Sequence, residues 1–276
     1  MASIPAKVAN RISAGLKRFQ PILDAARARD ANESDTVVIA MDLLHEVFGY
    51  DKYSEITSEY AIRSTFCDLA IKIDGALALI LEVKAVGLDL RDQHVKQAVD
   101  YASNQGCEWV VLTNGVVWRV YKVSFTKPIA QELVVELDLC ALNPRKEDDL
   151  GLVWLLCKEG WQKARLGEYY LQRQALSRFT MGALVLSEPV LDVLRRELRR
   201  VSPNIRIKEA QIRSVLTAEV LRREVLEGEK AEAAKKLVAR AGQKKLVAHA
   251  AHPALRSVRD DAGGAPPAPA QRGAGA

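Results

Sequence analysis

The stretch from Thr65 to Lys84 constrains this chain more than any other, because two runs of alternating aliphatics flank an Asp74-Gly75 turn signal. Leu69, Ile71 and Ile73 alternate with Asp68, Ala70 and Lys72, and Leu77, Leu79, Leu81 and Val83 alternate with Ala78, Ile80, Glu82 and Lys84. A two-residue turn pairs Ile73 with Ala76 and sets Asp68 and Glu82 on opposite faces. A three-residue loop, Asp74-Gly75-Ala76, pairs Ile73 with Leu77, Ile71 with Leu79 and Leu69 with Leu81. That register gathers the large aliphatics on one face, Ile80 excepted. A one-residue slip forfeits the gain, so the pattern predicts the longer loop.

The same register sets Asp68 opposite Glu82, with Lys84 on their face, and cross-strand partners stand about 4.5–5.5 Å apart at Cβ. Two carboxylates that close repel unless positive charge lies between them. A divalent cation meets that need, and magnesium takes one or two carboxylates plus waters and a substrate phosphate; manganese is the alternative ion. An ammonium beside such an ion can hold or deprotonate an attacking water and steady charge developing at phosphorus. The second reading of the same residues is a surface ion triplet in which Lys84 neutralises the pair.

Around this hairpin, residues 4–29 have helical spacing interrupted at Pro21 and read as one or two helices. Asn32 or Ser34 caps a helix carrying Val37, Val38, Met41, Leu44 and Val47, which stops near Gly49. Strands are expected over 55–60, 65–73 and 77–84, a helix over 91–105, then strands over 109–113 and 116–123 around a two-residue Asn114-Gly115 turn, and a strand over 133–139. Beyond Pro144 helical spacing covers 149–180 and 188–201, and a long charged helix is expected from Glu209 to Ala241. The four expected regions are a leading helical segment (1–30), an α/β domain (31–145), a basic helical extension (146–250) and a disordered Pro/Gly-rich tail (251–276).

Charge is unevenly distributed. Residues 1–194 carry 22 Lys/Arg against 26 Asp/Glu, whereas residues 195–250 carry 15 against 7. Arg195, Arg196, Arg199 and Arg200 crowd one helix, where they read either as phosphate contacts for DNA or as a solvated face. The apolar stripe of the helix after Glu209 needs a partner surface, which points to self-association through the C-terminal helices. Cys67, Cys107, Cys140 and Cys157 lie far apart with no C-x-x-C, so neither zinc nor a disulfide framework is indicated. With no secretory signal and no apolar run long enough to span a membrane, a cytoplasmic chain without membrane partners is expected.

Asp68, thirteen intervening residues and then Glu82-Val83-Lys84 resemble the D…ExK signature of the PD-(D/E)xK nuclease superfamily, with Cys67 where its name has proline. Gln97-Ala98-Val99-Asp100-Tyr101 resembles the Q-x-x-x-Y motif of its RecB-like branch. The run from Asn32 through Tyr50-Asp51, Glu59-Tyr60 and Leu112-Thr113-Asn114-Gly115 to Trp118 is similar to the N-terminal nuclease module of type I restriction enzyme R subunits. The resemblance covers about residues 31–125.

It implies a restriction-endonuclease-like mixed sheet flanked by helices, here with a helical C-terminal extension, and magnesium-dependent hydrolysis of DNA. Asp68 and Glu82 are then metal ligands, with the Val83 carbonyl a third and Glu33 completing the shell; as an acid in a helix's first turn, Glu33 equally serves the macrodipole. Lys84 orients or activates the water, Gln97 projects toward the site, and Tyr101 approaches DNA or braces Gln97. The resemblance also points to other restriction or defence subunits as partners. No G-x-x-x-x-G-K-[ST] occurs, so no ATP-driven translocation by this chain is expected. The rival expectation is a non-catalytic adaptor, nucleic-acid-binding or oligomeric, that keeps the fold.

Overall fold

The computed structural model describes residues 3–62 and 65–250. They divide into two compact units, with the boundary between Leu171 and Gln172.

The first unit opens with α1 (Ala6–Ala28), one continuous helix with Pro21 inside it. Val8, Ile12, Leu16, Phe19, Leu23 and Ala26 form an unbroken buried stripe at helical spacing. Pro21 and Lys17, whose carbonyl loses its partner, both lie on the exposed side. The proline therefore removes one solvated hydrogen bond without touching the packing that holds the helix. Helix α2 (Glu33–Glu46) begins at Asn32, whose Oδ1 accepts the Asp35 N–H at 2.8 Å.

Six strands follow: β1 (Ile56–Ile62), β2 (Thr65–Ile73), β3 (Ala76–Val83), β4 (Trp109–Thr113), β5 (Val117–Ser124) and β6 (Ala130–Asp138). They lie side by side in chain order. Every neighbouring pair is antiparallel except β3 and β4, which are parallel and joined by the crossover helix α3 (Asp92–Gln105). This is the α/β architecture expected: a mixed sheet flanked by helices, consistent with a restriction-endonuclease-like fold.

The β2–β3 hairpin corrects the expected loop while keeping the expected register. Ile73 pairs with Ala76 rather than Leu77, so the turn is the two-residue Asp74-Gly75, with φ of +51° and +80°. A bulge at Ile71/Lys72 then absorbs one residue, and Ile71 pairs with Leu79 and Leu69 with Leu81. Turn chemistry favours two residues and the aliphatic face favours the longer register; the bulge satisfies both. At Asn114-Gly115 the opposite holds. Pairing closes on Thr113 and Trp118, not across a two-residue turn. The Asn114 side chain takes over the turn, its Oδ1 accepting the Val116 and Val117 N–H groups at 3.2 and 2.8 Å.

The sheet has two unequal faces. Leu69, Ile71, Leu79, Leu81, Val83, Val111, Trp118 and Val120 join α1, α2 and α4 (Glu147–Trp154) in the larger core. Ala70, Ile80, Val110, Leu112 and Tyr121 pack beneath α3 in the smaller one. The unit continues past the boundary expected near residue 145, because Val153, Trp154, Leu155 and Leu156 add to the larger core. After α5 (Lys158–Gln162), the division between the units falls inside α6 (Arg165–Ala175).

The second unit is helical: α7 (Arg178–Val185), α8 (Glu188–Val201), α9 (Glu209–Val215), a π-helical turn (Leu216–Val220), α10 (Arg223–Leu226) and α11 (Glu229–Ala250). The single helix expected over 209–241 is therefore broken. Leu221 is extended (φ −90°, ψ 131°) and Gly228 has φ +91°, conformations no α-helix holds. Both breaks let the chain fold back so that α10 and α11 pack against α7 and bury Ala231 and Ala234. No helix among the described residues is long and apolar enough to cross a membrane. The expected disordered tail, 251–276, and the side chains of Lys244 and Lys245 lie outside the described residues.

Candidate active site

Glu82 sits one residue from the end of β3, on the α3 face shared by Ala70 and Ile80, and its side chain is 3% exposed. Its Oε1 accepts a hydrogen bond from Lys84 Nζ at 2.7 Å. Its Oε2 is sealed from solvent with no hydrogen-bond partner among the described residues. An unpaired buried carboxylate oxygen is costly, and it points to a positive ligand.

Asp68 reaches the same place from β2. Regular pairing runs as far as Leu69 and Leu81; one step beyond, Asp68 Oδ2 accepts the Val83 N–H at 2.7 Å. The aliphatic alternation of the hairpin thus delivers both carboxylates to the end of β3. Lys84 follows directly, its N–H donating to the Thr113 carbonyl of β4 at 2.8 Å, so its backbone is still held by the sheet. Its Nζ also lies 3.4 Å from Glu33 Oε1, which enters from the first turn of α2 under the Asn32 cap.

Three carboxylates therefore surround one ammonium, and the electrostatics follow from that imbalance. Burial pushes the Asp68 carboxyl above its ordinary range; the Val83 N–H and Lys84 pull it down and Glu33 pushes it up. Burial raises the Glu82 carboxyl too, against the hydrogen bond from Lys84 and with added repulsion from Asp68. For Lys84 burial acts downward, but the hydrogen bond and charge of Glu82, with Glu33 and Asp68, outweigh it and hold the ammonium above its usual value. Lys84 is thus a charged donor at neutral pH.

Among the described residues, no three His, Cys, Asp or Glu side chains form a ready-made metal cluster. The donor set offered is two carboxylates with one oxygen free, and Glu33 faces Lys84. Two neighbouring carboxylates suit a hard divalent cation, which completes its shell with waters and substrate phosphate and needs no closed protein cage.

Gln97 and Tyr101 lie one turn apart on α3. The Gln97 amide donates to the Tyr101 hydroxyl at 2.5 Å, and Tyr101 is 6% exposed within the smaller core. Of the two roles open to Tyr101, the geometry is that of a brace. No hydrogen bond joins Gln97 to Asp68, Glu82 or Lys84 among the described residues. His94 Nδ1 accepts the Arg91 N–H at 3.1 Å, closing the helix start as a cap.

Residues 39–136 match the family described as type I restriction enzyme R protein N terminus (HSDR_N). No curated protein and no solved structure matches the chain.

The R-protein N-terminus match runs from Ile39 in α2 to Glu136 in β6 and so contains Asp68, Glu82, Lys84 and Gln97. It leaves out Glu33 and the whole second unit. In that unit the four arginines of α8 divide. Arg195 is tied to Asp192 at 2.6 Å and Glu209 at 3.2 Å, and Arg200 to Glu197 at 3.1 Å. Arg196 and Arg199 are exposed and make no ion pair among the described residues.

A cleft of about 480 Å³, whose lining begins two residues after Lys84, corresponds to no pattern in the sequence. Its walls are the loop between β3 and α3, Asn114, and two arginines from distant elements, Arg27 in the last turn of α1 and Arg119 in β5. In the sequence Asn114 reads as a turn residue and as part of the run that resembles the R-subunit module. Its Nδ2 in fact donates to the carbonyls of Val86 (3.3 Å) and Leu88 (3.0 Å), clamping the loop.

Proposed function

We propose that this chain is a divalent-cation-dependent deoxyribonuclease of the PD-(D/E)xK kind, related to the R-protein N-terminal module and acting at Asp68, Glu82 and Lys84. The observation that carries the reading is Glu82 Oε2, a buried carboxylate oxygen without a hydrogen-bond partner among the described residues, beside the half-buried carboxylate of Asp68. A merely structural ion triplet gains nothing from leaving that oxygen unsatisfied.

Asp68 and Glu82, with the Val83 carbonyl, would hold magnesium or manganese, and Glu33 reaches the same cluster through Lys84. Bound there, the cation supplies Lewis-acid polarisation of a phosphoryl oxygen and lowers the pKa of its water. The protein's own part is positioning. Lys84, kept protonated by its carboxylates, donates a hydrogen bond to the attacking water or to a phosphoryl oxygen and offsets the negative charge that builds at phosphorus. The water oxygen bonds to phosphorus and its proton passes to solvent, while the bond to the leaving sugar oxygen breaks and that oxygen takes a proton from solvent to leave as a hydroxyl. Gln97, steadied by Tyr101, lines the approach from α3. Arg196 and Arg199 of the second unit supply sequence-independent contacts to DNA phosphates.

The test compares wild type with Lys84→Ala on linear, circular and single-stranded DNA, with magnesium, manganese or chelator. Cleavage that needs the cation and falls by about 10²–10³ in the variant is expected, the loss typical of one transition-state donor. Binding of DNA with no cleavage under any cation would make the protein a non-catalytic adaptor instead.

A further inference from the structure

The cleft beside Lys84 is a preformed site with unspent binding groups. Its loop is fixed at three points besides its ends: the Val86 N–H donates to the Ala31 carbonyl at 3.4 Å, Asn114 Nδ2 holds the Val86 and Leu88 carbonyls, and Arg119 donates to the Leu90 carbonyl at 2.6 Å. Arg119 is further paired with Glu136 at 2.7 Å, so it serves mainly as a strut. Arg27 is different. It is exposed and its guanidinium makes no ion pair or hydrogen bond among the described residues, yet it borders the same cleft. The same cleft is lined by Leu88, which is 41% exposed, by the largely buried Val86 and Leu90, by Val117, and by the Asp89 carboxylate.

An unpaired guanidinium and an exposed leucine that line one space of about 480 Å³ have the chemistry of a nucleotide site: phosphate on the arginine, base or sugar on Leu88. Its position supplies the rest. Val86 is two residues from Lys84, so their Cα atoms are separated by at most about 7 Å. Successive phosphates of one strand lie about 3.4 Å apart along a duplex axis. A strand with its scissile phosphate at Lys84 therefore passes the mouth of the cleft within about two nucleotides. We propose that this cleft binds a nucleotide of the DNA strand flanking the cut, with Arg27 on its phosphate and Leu88 against its base or sugar. The inference rests on the nuclease reading for the identity of the strand, but its geometry is separate from the carboxylate cluster.

The test uses the full chain without divalent cation, so that cleavage plays no part. Binding of a fluorescent single-stranded 12-mer is measured by anisotropy across a salt series for wild type, Arg27→Ala, Leu88→Ala and Lys84→Ala, with deoxyadenosine monophosphate as competitor. Arg27→Ala is expected to weaken binding about tenfold, as for loss of one charge-assisted contact. It should also reduce the log–log salt slope by about 0.7, one phosphate on a single strand. Leu88→Ala should weaken binding a few-fold with the slope unchanged. Equal binding and slope in wild type and Arg27→Ala, or no binding by wild type, overturns the proposal. So does a mononucleotide that competes as strongly as unlabelled 12-mer, because the cleft then takes a free nucleotide. The nuclease reading fails separately: it falls if the cleavage assay is negative, even with Arg27-dependent binding intact.

Discussion

In the first unit the side chains sealed from water are large: Trp118, Trp154, Tyr50, Phe48 and a set of leucines and isoleucines from both sides of the sheet. In the second the buried apolar set among the described residues is Leu191, Ile212, Ala231 and Ala234, while Val201 stays 79% exposed, Val220 62% and Ile205 56%. Burial of large apolar surface is the dominant favourable term in folding, and small residues contribute little to it. The ion pairs of the second unit, such as Arg178–Glu224 at 3.0 Å with side chains 58% and 54% exposed, do not make up the difference. The contrast bears on function. Crowding Asp68, Glu82 and Glu33 around one lysine is destabilising, and that arrangement sits in the unit with stability to spare. The weakly cored unit carries the exposed arginines, which need no precise framework to meet a phosphate backbone.

The largest expected effect tests whether the two units differ in stability as their cores suggest. All four tryptophans, Trp109, Trp118, Trp154 and Trp161, belong to the first unit, so intrinsic fluorescence follows it alone. Far-UV circular dichroism also reads the helices of the second. In a guanidinium titration the dichroism should begin to fall before the fluorescence changes. Trp118→Ala should then lower the stability read by fluorescence by about 3–5 kcal/mol. That side chain is 1% exposed, packs tilted against Phe48 with ring centroids 4.9 Å apart, and donates from Nε1 to the Gly115 carbonyl at 2.8 Å. Transitions that coincide by both probes, and shift together in the variant, would erase the distinction between the units.

How legible each unit was in the sequence follows from the same difference. In the first, the strand bounds at Thr65–Ile73 and Trp109–Thr113 are those expected, the former from its alternation, because a two-faced sheet punishes any slip, and the latter from the turn signal that follows it. The pairing of Leu69 with Leu81, and with it the meeting of Asp68 and Glu82, followed from aliphatic spacing alone. The turns were not legible. Asp74-Gly75 shortens its loop because a bulge further along repays the register, and Asn114 spends its side chain on a contact that no local pattern encodes. The cleft escaped for a similar reason, since Arg27 and Arg119 come from opposite ends of the domain and meet only in three dimensions. In the second unit α8 has the predicted bounds, with Ser187 and Pro189 at its start. The next helix does not, because a thin apolar stripe leaves little to hold it straight against Leu221 and Gly228.

A smaller effect of opposite sign is expected at the carboxylate cluster. Glu82→Gln keeps an oxygen for Lys84, leaves Glu33 at 3.4 Å from the ammonium, and removes the charge most opposed by burial. The cation-free protein should gain about 1–2 kcal/mol near neutral pH while losing cleavage. The sign of the pH dependence is fixed by the direction of the shift. A carboxyl raised on folding binds its proton more tightly in the folded state, so folding stability falls as pH climbs from the unfolded carboxylate value through the raised one. Below that window both states are protonated and the two proteins should be equally stable; above it the gain of Glu82→Gln is complete. Thermal melts from pH 4 to 8 in chelator read this directly. A variant less stable than wild type at pH 7 would mean that the pair with Lys84 outweighs burial, and the cluster would then be a stabilising ion triplet after all.

The smallest effect belongs to the second unit and concerns Arg196 and Arg199. Arg195 and Arg200 already have carboxylate partners, so only the other two on α8 are free to neutralise phosphates without first breaking a bond. Each exposed contact is worth little, because the guanidinium exchanges water for a solvated phosphate and is screened by salt. What it does contribute is counterion release, which appears in the salt dependence more clearly than in the affinity. For the double variant Arg196→Ala, Arg199→Ala, duplex binding should weaken only several-fold at moderate salt. The slope of log affinity against log salt should flatten by about 1.8, two phosphates at about 0.9 each. Because the contacts are to the backbone, the change should be the same for unrelated sequences. Neutralising Arg195 instead should leave the slope unaltered and cost helix packing between α8 and α9. An unaltered slope in the double variant would leave the second unit's charge as a solvated surface, and would assign DNA attraction to the first unit despite its excess of acids.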